Sequence, residues 1–439
     1  MPSARLARLL VGSSLTVGLV VALAAPALAH NEFVSSSPAD GSTTELSPAT
    51  WDVVFAKEVP LDSASGELVG PDGSITQLGP PVHGTSTSEI RFTLPADLTG
   101  AQTARWRLVS VDGHVISGRV SFGVGADITS SEVLSTSATA GATSASNPAP
   151  EILRWAFRLL GYVAVMLLGG LLVAELYIAK GIFSALRAHL VVKILAGTLV
   201  GSPLLLTLVF LGDVHGTSML GALTHLFDVF DTTPGSMLFV RTVLGGVLAY
   251  QLLTLPDGPI AITSRRQILV ASLLYAFTLA YTGHSRSRSV PVIGIPADVA
   301  HLVATSVWLG GLVILVLFVA PRVEPKDLWR SFDRYGRVAR LAVITLVITG
   351  VIQTLRLHGG ITTLFSQSHG RLLLLKLFVV VIMLRLGDLN RRRVSSRAKD
   401  NPNLMDKRQR EVMKLATAEI ASGGVVLAIT AALVSASFS

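Results

Sequence analysis

Apolar and polar positions follow three rhythms along the chain. In the first, Arg5 and Arg8 precede an apolar run from Leu9 to Ala25, and Ala27-Leu28-Ala29 closes it. A basic head, an apolar middle and small residues at an A-x-A site predict a secretory signal over residues 1–29, cut after Ala29. In the second, residues 30–125, short alternating or β-branched runs at 51–55, 89–93, 105–109 and 119–124 stand between turn residues. The turns are Pro38-Ala-Asp-Gly41, Pro71-Asp-Gly73, Gly79-Pro-Pro81 and Asp112-Gly113. This texture predicts an all-β sandwich or Greek-key barrel. Residues 126–150, rich in Ser, Thr, Ala and Gly with no hydrophobic period, predict a flexible tether.

The third rhythm fills residues 151–439. Apolar stretches of bilayer-spanning length recur near 154–179, 190–212, 236–256, 267–283, 297–320, 338–357, 371–389 and 413–436. They predict an all-α polytopic bundle of about eight transmembrane helices. An exported β-domain sends the first helix in from outside, and the loops agree with that orientation. Predicted inner loops carry Arg265 and Arg266, then Arg322, Lys326, Arg330, Arg334 and Arg337, then Arg391 to Arg393 with further basic residues up to Arg410. The outer loop from Asp213 to Ser236 carries no Lys or Arg, the next carries Arg286 and Arg288, and Arg356 and Arg371 flank the last. This is the positive-inside asymmetry. The chain is therefore expected in the plasma or inner membrane, with its N-terminal domain on the extracellular or periplasmic side.

Composition sharpens this reading. Half of the 439 residues are hydrophobic, only 15% are charged, and the mean hydropathy is +0.59. The net charge of +8 is spent between apolar spans and forms no aromatic-interleaved patch, which argues against nucleic acid as a partner. With no Cys, disulfides, zinc ribbons and thiol chemistry are excluded. No phosphate-binding loop of an ATPase is present, so any driving force is a gradient or mass action.

Candidate chemistry begins with His30. Cleavage after Ala29 makes it the N-terminus, where its α-amine and imidazole can chelate one metal ion. Asp112 and His114 stand two apart and share a face in an extended segment. Together these groups make an N3O ligand set of the kind that favours Cu(II), although Asp112-Gly113 also reads as a plain turn. The α-amine has an ordinary pKa of about 7.7–8.0, so Cu(II) affinity is expected to fall below neutral pH. No Met lies between Met1 and Met166, which argues against a thioether site for Cu(I) here. His83, in a Pro/Gly-rich loop, reads as solvated. In the membrane part, His215 with Met219, His284, and Asp298 with His301 fall at predicted outer helix ends. Ionisable groups inside a span are costly and are commonly functional, whereas helix capping would also explain Asp298. For Glu175, Lys376 and Glu419, ion pairing inside the bundle is expected, with a role in an ion pathway as the alternative.

Residues 30–125 resemble the CopC family of copper-binding domains. The likeness is carried by His30, Ser36-Ser-Pro-Ala-Asp-Gly41, Phe55-Ala-Lys-Glu58 and Asp112-Gly-His-Val-Ile-Ser-Gly118. The resemblance implies that His30, Asp112 and His114 hold Cu(II), with Glu58 as an added carboxylate ligand. Residues 150–437 resemble the CopD family through Thr282-Gly-His284, Asp298 to His301, Trp308-Leu-Gly-Gly311, Arg334-Tyr-Gly-Arg337, Thr349-Gly350 and Gly370 to Lys376. That resemblance implies copper transport, usually uptake, together with copper homeostasis and resistance, and no enzymatic activity. The oxidation state in the membrane part stays open between Cu(I) and Cu(II). Copper, the bilayer and a further copper chaperone are the implied partners. A chaperone supplying exported cuproenzymes is the alternative. A histidine-brace monooxygenase is disfavoured by Asp112, which would occupy the position oxygen chemistry needs open.

Overall fold

The computed structural model describes residues 33–109, 115–125, 149–186, 189–255, 260–282, 291–358, 368–395 and 402–435. They fall into two compact units. One holds the described residues within 29–153 and 207–236, the other those within 154–206 and 237–439.

In the first unit, alternation becomes two sheets. One has four strands in the order β1 (Phe33–Ser37), β3 (Thr50–Phe55), β7 (Glu89–Thr93), β6 (Val82–His83). The other has five, ordered β2 (Thr43–Thr44), β9 (Val115–Val124), β8 (Gly100–Val109), β4 (Ser65–Val69), β5 (Ile75–Gln77). Neighbours are antiparallel except β2 and β9. Trp51, Val53 and Phe55 of β3 are buried, and so are Trp106 and Leu108 of β8 with Val120 and Phe122 of β9, in one shared core. Gly118 has no side chain because the Trp106 indole fills that space. The barrel named beside the sandwich does not form among the described residues. Two-residue β6 and three-residue β5 end their sheets, and edges this short close nothing. Across β3 and β7, Arg91 grips Asp52 with both branches of its guanidinium, at 2.6 and 2.9 Å.

In the second unit, helices occupy all eight predicted stretches. They are α1 (Ala149–Val173), α3 (Leu190–His215), α4 (Thr233–Thr254), α5 (Ile262–Tyr281), α6 (Pro291–Thr305), α8 (Pro325–His358), α9 (Ser368–Ser395) and α10 (Pro402–Ser435), with short α2 (Ile182–Leu186) and α7 (Gly311–Ile314) between them. The last nine residues of α3 belong to the first unit. Six of the described helices, not eight, are long and apolar enough to cross a membrane. Helix α5 falls short because Arg265, Arg266 and Gln267 stand in its first turns, and α9 because Arg371, Lys376, Arg385 and Asp388 cut its apolar run. π-helical turns at Ala174–Ile178, Ser306–Gly310 and Leu315–Val319 interrupt the regular helices. At one of them two backbones touch. A Cβ on Gly310 would fall on the Met166 carbonyl oxygen, and one on Gly170 on the Gly310 carbonyl carbon. Small residues permit such close helix approach in membranes.

Candidate metal centre

The β-sheet unit brings chain ends together before any ligand is considered. Phe33 opens β1 and pairs with Phe55 at the end of β3. Phe55 meets Trp106 of the other sheet edge to face, with ring centres 4.9 Å apart. β8 and β9 then pair as far as Val109 and Val115, the last residues before the segment that joins them. The start of β1, the end of β3, the end of β8 and the start of β9 are thus at the same end of the sheets. His30 precedes β1 by a few residues, and Asp112 and His114 belong to that connection. All three lie outside the described residues. Glu58 follows β3 and is exposed. It is held in place by its neighbour, since Val59 is fully buried and its N–H donates to the Thr87 carbonyl at 3.0 Å.

Other stretches that carried the family likeness have structural duties. In Ser36 to Gly41, Asp40 accepts from the Ser121 amide at 2.8 Å and the Gly41 amide donates to the Ser121 carbonyl at 2.7 Å. These bonds tie the β1–β2 connection to β9. His83 sits on exposed edge strand β6, with Nδ1 3.4 Å from the Glu89 carbonyl. Glu89 itself accepts from the hydroxyl and the amide of Thr85, which hold its carboxyl below the usual carboxylate range.

In the helical unit, His301 of α6 lies 2.8 Å from the Thr349 hydroxyl of α8 through Nδ1. That hydroxyl donates to the Thr345 carbonyl at 2.7 Å, so it accepts from His301. The network assigns the proton to Nδ1 and leaves Nε2 as the acceptor nitrogen of the ring. One turn away, Gln353 donates to Asp298 at 2.5 Å. Asp298 and His301 on α6 therefore face Thr349 and Gln353 on α8, and Lys376 of α9 is within electrostatic reach of both acidic and imidazole groups. His284 lies outside the described residues. His215 ends α3, and Met219 is half-buried in the turn that follows.

Several polar groups expected to pair as ions do something else. Glu175 accepts backbone N–H groups of Gly181 and Phe183 at 3.0 Å, which satisfies the open start of α2. Glu419 accepts the Trp308 indole N–H at 2.9 Å, and the Tyr335 hydroxyl donates to the Trp308 carbonyl at 2.9 Å. Arg334 donates to the Ile178 carbonyl at 3.2 Å. Sequence reasoning passed over buried Arg241 of α4, which donates to the Thr278 hydroxyl and carbonyl of α5 and to the hydroxyl of Thr282 just past its end. Its signal was available: a lone Arg between apolar residues needs partners. It also passed over His225 and Asp228, spaced i,i+3 in the outer loop.

Two family models match the chain. The CopC domain model covers residues 33–125, and the model of Copper resistance protein D covers residues 329–433. Both families are of binding and transport proteins, not enzymes. Over 400 residues the chain is 27% identical to the Copper transport protein CutJ of Bacillus subtilis (strain 168), spanning 84% of this chain and 69% of that protein. It is also 27% identical over 247 residues to Copper resistance protein D of Pseudomonas syringae pv. tomato, spanning 52% of this chain and 78% of the relative. Among solved structures, CopC from Methylosinus trichosporium OB3b matches at 20% identity over 23% of this chain and 98% of that one, with a TM-score of 0.21. The chain is a multi-pass membrane protein with its N-terminal domain on the extracellular or periplasmic side.

Proposed function

We propose that this chain, a CopC-like domain fused to a CopD-family membrane domain, captures Cu(II) outside the membrane and passes copper inward. The signal over 1–29 is removed, and residues 30–125 form the capturing domain. Residues 126–150 act as its tether, and residues 151–439 form the permease. The α-amine and imidazole of His30, with Asp112 and His114, hold Cu(II), while Glu58 stands by as a carboxylate at the same end of the sheets. His284 and His301 are ligands of the membrane pathway, and His215 and Met219 are further copper ligands on the outer side. The contact that supports this reading most directly is Phe55 against Trp106, because Phe55 pairs with the first residue of β1 and Trp106 lies near the end of β8. Cu(II) binding there needs a neutral imidazole and a free amine.

The membrane part of the reading is supported by the His301 tautomer, since a fixed Nδ1–H presents Nε2 as a ligand. The capture step is tested at the N-terminus. Mature protein beginning at His30 is compared with protein carrying one extra residue before it. The reading expects Cu(II) affinity to drop sharply with the extension, and an unchanged affinity would sink the amine chelate.

A further inference from the structure

Residues 207–236 share a compact unit with the β-sheets, and they hold a group of side chains that the reading above leaves largely unused. Helix α3 stops at His215 because Gly216 follows at φ +65, the left-handed conformation that glycine adopts freely. The Thr217 amide donates to the Gly212 carbonyl at 2.8 Å and closes the helix end. The chain turns back into a 3-10 segment, Gly221–Phe230, whose helical path breaks at His225 with φ −113 and ψ 20.

The break lays the His225 ring on that of His215, with centres 3.9 Å apart and planes within 12°. Asp228, one turn on, places Oδ2 3.1 Å from His215 Nε2 and 3.1 Å from His225 Nδ1. The His225 contact is a hydrogen bond, whereas His215 Nε2 is buried with no hydrogen-bond partner. One carboxylate oxygen thus bonds one imidazole and stands at ion-pair distance from the other, and the ligand atoms of all three side chains lie within 4.8 Å of one another. Bonds of about 2.0–2.2 Å from nitrogen or oxygen put adjacent donors of one ion roughly 3 Å apart, which is the spacing seen here.

We propose that His215, His225 and Asp228 form a transition-metal site that receives Cu(II) on its way from the β-sheet domain to the membrane pathway. Two imidazoles and one carboxylate are a donor set suited to Cu(II) or Zn(II). The Arg107 guanidinium of β8 fills the space beside Gly216 and acts electrostatically on His215, with Asp231 opposing it. Arg107 stands a few residues before Asp112 in the chain. A fixed cation this close weakens the hold on a metal ion, which suits a station that releases its cargo.

The identity of the ion rests on the proposed copper function; the existence of the site does not. The test uses full-length mature protein in detergent carrying His30→Ala and His114→Ala, titrated with Cu(II) alone and followed by electron paramagnetic resonance. The site predicts bound Cu(II) with two imidazoles, and loss of about one equivalent when His225→Ala or Asp228→Asn is added. Thermal unfolding of each variant identifies any that fail to fold, and His225→Gln serves in place of such a variant. Unchanged stoichiometry and imidazole signal in folded His225 and Asp228 variants would overturn the site. Vesicle uptake separates the two readings: the two-imidazole signal without any uptake keeps the site and removes the transport function, whereas uptake without that signal does the reverse.

Discussion

Phe55 and Trp106 belong to different sheets, yet their rings meet edge to face with centres 4.9 Å apart. Phe55 also carries the β1 pairing, and Trp106 lies near the end of β8. One aromatic contact therefore holds together the strand that follows the proposed N-terminal ligand and the hairpin that carries the other two. Truncating Trp106 to Ala should cost about 3–5 kcal/mol of domain stability, measured by denaturant unfolding. Cu(II) affinity should fall in parallel. Trp106→Phe should retain much of both.

Glycine contacts in the bundle make a second prediction. Gly310→Ala places a methyl on the Met166 carbonyl, where backbone has to move. Overpacking of this kind costs about 1–3 kcal/mol, occasionally more. The detergent-solubilised protein should melt at a lower temperature, while Gly424→Ala, which meets nothing within 4 Å, should leave the melting temperature near that of the wild type.

Acid stability should report on Glu89. Its carboxyl titrates below the usual value of 4.5 because the Thr85 hydroxyl and amide bond the ionised form. A lowered folded value stabilises the fold above the unfolded value, and that contribution disappears as pH falls through the folded one. Glu89→Gln should therefore unfold more readily than wild type at neutral pH, with the gap closing below about pH 4. A gap that persists unchanged into acid would contradict the assignment.

Thr349 tests the membrane pathway without touching copper. Thr349→Val removes the acceptor that fixes the His301 proton on Nδ1. Partners of this kind commonly change metal affinity or activity by about 10–100-fold. Copper uptake should fall in Thr349→Val, less than in His301→Ala, while Thr349→Ser should restore it.

Much of the β-sheet unit was legible because alternation is a period-two signal. Residues 50–55 alternate half-buried and buried as the pattern of Trp51, Val53 and Phe55 requires. That the two sheets stay open was not, since closure depends on edge strands too short to read. All eight helical stretches were legible, but bilayer crossing was not, because charges such as Lys376 and Arg385 fall inside apolar runs without breaking the helix. His301 was legible as an ionisable group of an apolar span, although it stands inside α6 and not at the helix end that the pattern predicts, and its tautomer came from Thr349, 48 residues away. The His215, His225 and Asp228 group escaped because a glycine turn and a broken 3-10 segment bring it together, and neither has a hydrophobic period.

Copper uptake into vesicles containing the purified mature protein tests the central claim most directly. Wild-type protein should carry Cu(II) supplied on the side of the N-terminal domain into the lumen. His30→Ala with His114→Ala should slow loading at low copper, and His301→Ala should abolish it. If copper bound to the N-terminal domain but none entered the lumen, or if all three proteins loaded alike, capture followed by inward passage would be contradicted.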